Sequence, residues 1–531
     1  MQCLQDPALY THPVQRIEII ETHISWLILT GPFAYKAKKP IDLGFVDFSD
    51  ALRRRHFCHE ELRLNRRLAP ALYVDVWAIS GGGDNHVLLP DSDPNQSPPV
   101  GAFDYLVRMK QFAQDGLLDH KQEQGELQPG YMDELARNIA AFHLQQRGDT
   151  HSDCGSPESV ISWATQNFDQ SESMVSDPVT ENTFEQLRCW TLDSFSNLYR
   201  RISERKASGF VRDCHGDLHL GNIALINGAV TVFDCIEFNR ELRVIDVISE
   251  VAFLYMDLLS RNEEALGWRF LDQYLAVTGD YAGLDLLRFY TVYRAMVRAK
   301  VELIQIHQAE HGNLANSRLT KHCQSHLSLA QQMTLVRQPR LILTRGLSGS
   351  GKSTLAAKLV EACGLIRLRS DIERKRLFAV PALSSDPAPV GKGIYSLHAG
   401  KRTYQHLVNS ARSILAAGYP VIIDATFLKQ EQRLPFQQLA ERCKVPFHIL
   451  DMFADTSLLR QRIHRRLDTG LDPSEADSQV LDRQIAIQEP LVESEMPYRI
   501  PVSGNDGGID AALPGLVRQL GQGNGSGPLV P

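Results

Sequence analysis

Residues 211–239 have the sequence VRDCHGDLHLGNIALINGAVTVFDCIEFN, and this stretch decides how the first two-thirds of the chain is organised. A compact run, HGDLHLGN, is followed by two short apolar runs that meet at Asn227-Gly228. Asn-Gly between two apolar runs predicts a β-hairpin. Such a hairpin would bring the loop that carries Asp217 and Asn222 close to Asp234.

These three side chains have the chemistry that phosphoryl transfer needs. One acid must accept the proton of an acceptor hydroxyl, and an amide and a second acid must hold Mg²⁺. Asp217 and Asn222 are spaced as in a protein-kinase catalytic loop, and Asp234 follows where the metal-binding acid of such kinases lies. The alternative interpretation is that the polar residues only cap turns around a hairpin. The ordered set favours catalysis.

The motif HGDLHLGN, with Asp234 after the hairpin, resembles the aminoglycoside phosphotransferase and choline kinase family. The resemblance implies that Asp217 is the catalytic base and that Asn222 and Asp234 are the Mg²⁺ ligands. It also implies that His215 is a structural brace. Asp234 lies in FDCIEF rather than in a DFG sequence, which argues against a protein substrate.

The preceding part of the chain has the order of a kinase N-lobe. Three strands are predicted in succession, and the third carries a lysine where kinases bind the α- and β-phosphates of ATP. Lys36 is our choice for this role, and Lys38, on the same face, is the reserve. A solvated basic strand end is the alternative, and the first turn lacks a GxGxxG. The three strands are Ile17–Ile20, Ile24–Thr30 and Phe33–Lys38.

A helix over Phe48–Leu68 is expected to supply the glutamate that pairs with the strand lysine. Glu60 and Glu61 are both candidates, and we choose Glu60. Asp246 follows the hairpin, and the resemblance implies that it anchors the catalytic loop as a structural residue. The remaining N-lobe elements are predicted as a strand, a polar loop and a last strand at Ala71–Ile79, Ser80–Gly101 and Phe103–Phe112. A C-lobe helix is predicted over Tyr131–His143.

A second motif opens after the linker Leu335–Arg340. A short apolar strand, Leu341–Thr344, leads into GLSGSGKS, a complete GxxxxGK[ST] sequence that is followed by a helix. Its glycines let backbone N–H groups surround a β-phosphate, Lys352 reaches the β- and γ-oxygens, and Ser353 binds Mg²⁺. The predicted nucleotide-binding residues are Gly346, Leu347, Ser348, Gly349, Ser350, Gly351, Lys352, Ser353 and Thr354.

The sequence after this loop resembles P-loop kinases grouped with gluconate kinase, zeta toxin and polynucleotide 5′-kinase. Asp371 follows the second strand, and the resemblance implies that it is the base, with Arg374 as its partner or an acceptor contact. Asp424 ends a buried strand, where open α/β sheets bind ligands, and the resemblance implies that it contacts a Mg²⁺-bound water or the substrate. Arg462 or Arg466, on a basic helix, would close on the triphosphate. A solvated basic helix is the alternative.

The expected fold class is therefore multidomain, α/β and α+β. A bilobal, protein-kinase-like domain precedes a P-loop domain with a parallel sheet. The predicted divisions are 1–112 for the N-lobe, 113–334 for the C-lobe, 335–340 for the linker, 341–520 for the P-loop domain and 521–531 for a disordered tail.

Composition supports an ordinary globular protein. The 531 residues are 43% hydrophobic and 22% charged, and no apolar run approaches the ~18 residues that span a bilayer. The start lacks a secretory signal, and the nine cysteines are expected to be free thiols in a cytoplasmic protein. Residues 338–520 hold 24 Lys and Arg against 19 Asp and Glu, a balance that does not require nucleic acid.

The whole chain resembles bacterial bifunctional aminoglycoside phosphotransferase/ATP-binding fusion proteins. We expect two tethered modules, each transferring the γ-phosphate of ATP, with Mg²⁺, to a hydroxyl of a small molecule. One alternative makes the P-loop half a switch that binds or slowly hydrolyses ATP and regulates the first half. Another makes it a polynucleotide 5′-hydroxyl kinase, which ranks last because aromatic and basic residues are not interleaved. Neither acceptor nor oligomeric state follows from the sequence.

Overall fold

A computed structural model describes residues 2–42, 46–82, 85–175, 177–308, 314–336, 338–381, 393–469 and 477–521. The predicted tail, 521–531, lies outside the described residues except for Gly521. Two compact units make up the chain. The first comprises Met1–Gln166 and Tyr199–Asp257, and the second comprises Asn167–Leu198 and Leu258–Pro531.

Among the described residues, ten strands and ten α-helices precede Leu341. The strands are β1 (Glu18–Glu21), β2 (Ser25–Leu29), β3 (Phe33–Lys38), β4 (Tyr73–Gly82), β5 (Asn85–Pro90), β6 (Ala102–Lys110), β7 (Val211–Asp213), β8 (Ile223–Ile226), β9 (Ala229–Val232) and β10 (Val244–Asp246). The helices are α1 (Ala51–Asn65), α2 (Leu118–Glu123), α3 (Pro129–Gln145), α4 (Pro157–Ser171), α5 (Pro178–Ala207), α6 (Arg240–Arg243), α7 (Val247–Ser260), α8 (Glu264–Thr278), α9 (Leu284–Gln308) and α10 (Leu314–Thr334).

From Leu341 onward, the described part of the chain contains five strands and seven α-helices. The strands are β11 (Leu341–Arg345), β12 (Ile366–Arg369), β13 (Val421–Asp424), β14 (Phe447–Phe453) and β15 (Arg499–Ser503). The helices are α11 (Lys352–Cys363), α12 (Ser370–Leu377), α13 (Leu397–Ala416), α14 (Gln430–Cys443), α15 (Thr456–Thr469), α16 (Ser478–Ile487) and α17 (Gly508–Gly521).

In the first unit, an antiparallel sheet with strand order β1-β2-β3-β6-β4-β5 forms the predicted N-lobe. Helix α1 packs on one face, where Cys58, Tyr73 and Tyr105 are buried, and Leu4 and Leu9 cover the other face. One prediction was wrong: the polar loop assigned to Ser80–Gly101 contains strand β5. This strand, NHVLLP, pairs with the end of β4, and its short sequence lacks the apolar–polar alternation that would have predicted a strand.

The predicted hairpin is confirmed as β8 and β9. Ile223 pairs with Val232 and Ile226 with Ala229, so the two-residue turn is Asn227-Gly228. Both turn residues have positive φ, 51° and 81°, as the tight turns that match the twist of a hairpin require. The hairpin returns the chain toward the catalytic loop.

The second unit contains the predicted P-loop fold. Its five parallel strands have the order β12-β13-β11-β14-β15, with β11 at the centre. Strands such as β13 are buried along their whole length, as expected when helices cover both faces of a parallel sheet. The carboxyl ends of β11, β12 and β13 meet at one edge, where such sheets bind ligands.

The boundary between the two compact units differs from the predicted domain boundary at residue 334. Helices α8 to α10 belong with the P-loop part, and α8 packs against α11 inside this unit. All nine cysteines are free. No helix among the described residues combines the length and the hydropathy that crossing a membrane requires.

Candidate active sites

The catalytic loop of the first unit brings three motif residues together. Asn222 Nδ2 donates a hydrogen bond of 2.9 Å to Asp217 Oδ2, and His219 Nε2 lies 3.3 Å from the same oxygen. The Gly221 N–H donates to His219 Nδ1, so Nδ1 is unprotonated and Nε2 carries the proton that faces Asp217. His219 therefore orients the predicted base. The sequence analysis gave this histidine no role, although it belongs to the quoted motif.

His215 holds the hairpin to the loop. Its Nε2 donates to the Phe233 carbonyl at 2.8 Å, and its Nδ1 accepts from the Asp217 N–H at 3.3 Å. Burial lowers the pKa of His215, so the ring stays neutral and keeps one donor and one acceptor. This geometry is that of the predicted brace.

Glu250, on α7, anchors the catalytic loop. Its carboxylate accepts the N–H groups of His215 at 2.9 Å and Gly216 at 2.7 Å, and His143 donates to it at 3.2 Å. The prediction that Asp246 anchors this loop is corrected. Asp246 accepts from Arg205 and from the Ile248 N–H instead, so it braces α5 and the start of α7.

A buried group of His143, Cys214 and Glu250 also has the composition of a metal site. Two observations make it a hydrogen-bonded anchor instead. Glu250 already accepts hydrogen bonds from two backbone amides and from His143. Burial raises the pKa of the Cys214 thiol well above its ordinary value, which disfavours the thiolate that a metal would need.

We predict that Glu250→Gln destabilises the first unit in a pH-dependent way. Burial alone would raise the pKa of Glu250, but the hydrogen bond from His143 and the other donors lower it to about 2. A depressed folded-state pKa stabilises the protein above the unfolded pKa, and this stability is lost as the pH falls toward about 2. The difference in free energy of unfolding between wild type and variant should therefore be largest near pH 7, at about 3 kcal/mol.

The measurement is thermal unfolding at pH 7 and pH 4, with Glu60→Gln as the matched control. Glu60 is a partly exposed partner of the exposed Arg63, so its removal should change stability by about 0.5 kcal/mol at most at either pH. A difference in stability between Glu250→Gln and wild type that stays constant or increases as the pH falls would contradict this role of Glu250.

A buried ion-pair group lies below the loop. Lys36 Nζ lies 3.0 Å from Glu61 and also contacts Asp234, and the two carboxylates raise the pKa of Lys36 well above its ordinary value although burial opposes this. The choice of Glu60 as partner of the lysine is corrected to Glu61. Packing on the sheet turns Glu61 inward, where it is fully buried, whereas Glu60 pairs with Arg63 at the surface.

Lys38 lies deeper than Lys36; the two lysines share Glu61 but differ in their second carboxylate partner. It is 1% exposed and bridges Glu61, at 2.7 Å, and Glu237. Lys36 contacts Asp234, the predicted metal ligand, so it is the lysine next to the site. Glu237, three residues after Asp234, was missed because a glutamate outside a motif carries no sequence signal of burial.

The pair of lysines gives a second prediction. Lys36→Met should lower ATP use at the first site by about 10²–10³-fold, the cost of removing one preorganised charge contact. Lys38→Met should leave the buried Glu237 without the cation that it contacts, while Glu61 keeps Lys36, and should cost about 3–5 kcal/mol of stability instead. Steady-state kinetics and thermal unfolding of both variants separate these effects. Equal rate losses at equal stability would refute the distinction.

The P-loop of the second unit packs closely against neighbouring backbone. Gly346 has φ 147° and Gly349 has φ 83°, and an added Cβ would lie 2.5 Å from the Met452 carbonyl oxygen and 2.9 Å from that of Leu459. Only glycine fits both positions without strain. Lys352 Nζ donates to the Leu347 carbonyl at 2.7 Å across the loop. The Ser350 hydroxyl is buried and has no hydrogen-bond partner among the described residues.

Asp371, Arg374 and Asp424 line the same cleft as the P-loop, with a cavity volume of about 1120 Å³. Asp424 is 5% exposed, and its buried Oδ2 finds no hydrogen-bond partner in the described part of the chain. Arg369 Nε lies 3.8 Å from that oxygen. A buried carboxylate oxygen without a donor, in a cleft that Ser353 also lines, fits a hard cation such as Mg²⁺. Arg374 lies over the Tyr395 ring and donates to the Ile394 carbonyl at 3.2 Å.

Helices α15 and α16 border the cleft on the nucleotide side. Arg462 donates to the carbonyls of Gly349, at 3.4 Å, and Gly504, at 2.6 Å, so its guanidinium is held against the P-loop. Arg466 lies on α15, outside the residues whose side chains the structure describes. Gln484 was missed by the sequence analysis, although its Oε1 accepts the Ser348 N–H at 2.8 Å.

Two family models match the chain. The Phosphotransferase enzyme family matches residues 45–290, and an AAA domain matches residues 341–491. Uncharacterized proteins from Mycobacterium tuberculosis and Mycobacterium bovis are each 30% identical to the chain over 433 residues. The matched region is 81% of this chain and 82% of each relative.

Solved structures of kinases resemble separate parts of the chain. An amicoumacin kinase in complex with AMP-PNP, Ca²⁺ and Ami is 13% identical, with a TM-score of 0.38, over 60% of this chain and 90% of that one. A Plasmodium vivax ethanolamine kinase is 11% identical, with a TM-score of 0.36, over 60% and 82%. A Sinorhizobium meliloti gluconokinase is 22% identical, with a TM-score of 0.25, over 35% and 95%.

Proposed function

The chain belongs to the phosphotransferase enzyme family, joined to an AAA domain, and is an ATP-dependent phosphotransferase; we propose that it has two active sites, each serving a small-molecule alcohol. The observation that carries this proposal is that each half of the chain has a carboxylate, the candidate general base, together with candidate phosphate-binding residues. Asp217 lies in the loop next to the Lys36 and Asp234 group, and Asp371 lines the cleft of Lys352 and Asp424.

At the first site, Asp217 would accept the proton of the acceptor hydroxyl. The hydroxyl oxygen then forms a bond to the γ-phosphorus while the bond to the β-phosphate oxygen breaks and ADP leaves. Asn222 and His219 hold one oxygen of Asp217, which orients the carboxylate for this task. Lys36 would bind the α- and β-phosphates, and Asn222 and Asp234 would hold Mg²⁺, which neutralises phosphate charge when bound.

At the second site, Asp371 would play the same part. The P-loop amides and Lys352 would bind the β- and γ-phosphates, and Arg462, already held against the loop, would lie beside them. Ser353 and Asp424 would hold Mg²⁺. The position of Asp371 favours a kinase over a nucleotide switch, because a switch needs only the P-loop and a Mg²⁺-linked acid.

The test is transfer of label from ATP carrying γ-³²P to a panel of sugars, sugar acids, polyols, amino alcohols and 5′-hydroxyl oligonucleotides. The control is the full chain with Asp217→Asn and Lys352→Ala combined. Labelled small-molecule products that require the intact chain support the proposal. Label released only as inorganic phosphate would support the switch, and a labelled oligonucleotide would support the polynucleotide kinase.

A further inference from the structure

Helix α8 and the turn Tyr281–Gly283 lie inside the P-loop unit, although their sequence lies within the phosphotransferase match. Trp268 packs under the end of α11, where a Cβ added to Gly364 would lie 2.7 Å from the Trp268 ring. The Trp268 and Tyr419 rings are 6.3 Å apart, edge to face. The helix therefore forms part of the packing of this unit.

One polar link runs from α8 toward the nucleotide side. Arg367, on β12, donates to Asp272 Oδ2 at 2.6 Å, and its other nitrogen donates to the Ser353 carbonyl at 3.3 Å. Asp272 and Arg367 are both buried. Because an unpaired buried charge is costly, this link holds β12 and the start of α11 in one arrangement.

A second polar link leads to α12, the helix that carries the proposed base Asp371, and its hydrogen bonds converge on Glu373. This carboxylate is 1% exposed, and burial would raise its pKa, but hydrogen bonds from His406 and Arg376 lower it, so Glu373 is ionised. Tyr281 donates its hydroxyl to one oxygen at 3.2 Å, and His406, on α13, donates to the other at 3.0 Å. Arg376 also contacts Glu373 and the Ala276 carbonyl at the end of α8.

Glu373 lies on α12 between Asp371 and Arg374, which both line the cleft. A side chain fixed by donors from the Tyr281 turn and from α13 restrains the rotation and the position of its own short helix. Reacting groups must be placed to within a fraction of an ångström, so a restraint on α12 acts on the base that α12 carries.

We propose that Tyr281 is a positioning residue of the P-loop phosphotransferase, acting through Glu373 on the helix that carries Asp371. The inference rests on the proposed function of the second site. It means that a residue matched to the phosphotransferase model completes the acceptor side of the P-loop site. The second site then depends on the residues that precede the P-loop domain.

The test compares Tyr281→Phe with Arg269→Gln in the full chain that also carries Asp217→Asn, so that only the second site turns over. Phenylalanine keeps the ring and removes only the donor. Arg269 pairs with Glu361 on α11 at 2.6 Å, so its removal breaks another α8 contact that does not reach α12. The readouts are kcat and KM for product formation, ATP affinity by calorimetry, and hydrogen exchange of residues 370–377.

Tyr281→Phe should lower kcat by roughly tenfold, a fraction of the about 10²-fold that a 1 Å misplacement costs. It should leave ATP affinity unchanged and speed exchange of α12, while Arg269→Gln should change none of these. Equal kcat and equal α12 exchange in Tyr281→Phe and in the parent chain would overturn the inference, as would an equal loss in Arg269→Gln.

Failure of the proposed function can be distinguished from failure of this inference. If the parent chain labels no acceptor, the second site is not the proposed phosphotransferase, and α12 exchange alone decides the inference. Faster exchange in Tyr281→Phe than in Arg269→Gln then supports Tyr281 as the residue that holds α12. Unchanged exchange overturns it.

Discussion

An Asp217→Asn variant is expected to lose phosphoryl transfer at the first site by about 10²–10⁴-fold, the contribution of a positioned general base. An amide has no basic oxygen for the proton of the acceptor, but it keeps the size of the carboxylate and an oxygen that can accept from Asn222 and His219. The loop should therefore keep its shape. ATP affinity should stay unchanged, because in the proposed site Lys36 and the metal ligands, rather than Asp217, bind the phosphates.

The measurement uses product formation in the Lys352→Ala background, with ATP binding followed by calorimetry. Glu204→Gln is the matched control, since Glu204 is an exposed carboxylate of the same unit that pairs with Arg200. Near-normal turnover in Asp217→Asn would remove Asp217 as the base. A loss of ATP affinity equal to the loss of rate would make it a nucleotide-binding residue instead.

Asp371→Ala is expected to have the corresponding effect at the second site. Product formation should fall by about 10²–10⁴-fold with ATP affinity nearly unchanged, because Asp371 is the predicted base on the acceptor side of the cleft. The assay uses the Asp217→Asn background, and Asp482→Ala, which removes an exposed partner of Arg460, is the control. A labelled product whose yield is indifferent to Asp371 would exclude it as the base.

The motifs were predictable because their chemistry is local. In HGDLHLGN and GLSGSGKS, the residue types and spacing belong to one loop, so the sequence alone places Asp217, Asn222 and Lys352 correctly relative to their neighbours. The Asn227-Gly228 turn was likewise predictable from its conformational demand. Each of these features can be predicted without knowing which residues pack against it.

The missed residues depend on packing between distant segments. Glu60 and Glu61 are adjacent on one helix, and only the rotation of α1 on the sheet decides which one meets Lys36. Glu250 anchors the catalytic loop from a helix that begins 25 residues after Asn222, and nothing in its local sequence marks that contact. Tyr281 and its partner Glu373 are 92 positions apart, and the missed Glu237 is 199 positions from its partner Lys38.

We propose that this one chain holds two separate phosphotransferase sites. The most direct measurement is transfer of ³²P from ATP to the acceptors that wild type labels, repeated with Asp217→Asn, with Lys352→Ala and with both changes. The account predicts that each single change abolishes one set of products and leaves the other, and that the double variant makes none. Loss of all products from either single change, or survival of a product in the double variant, would contradict it.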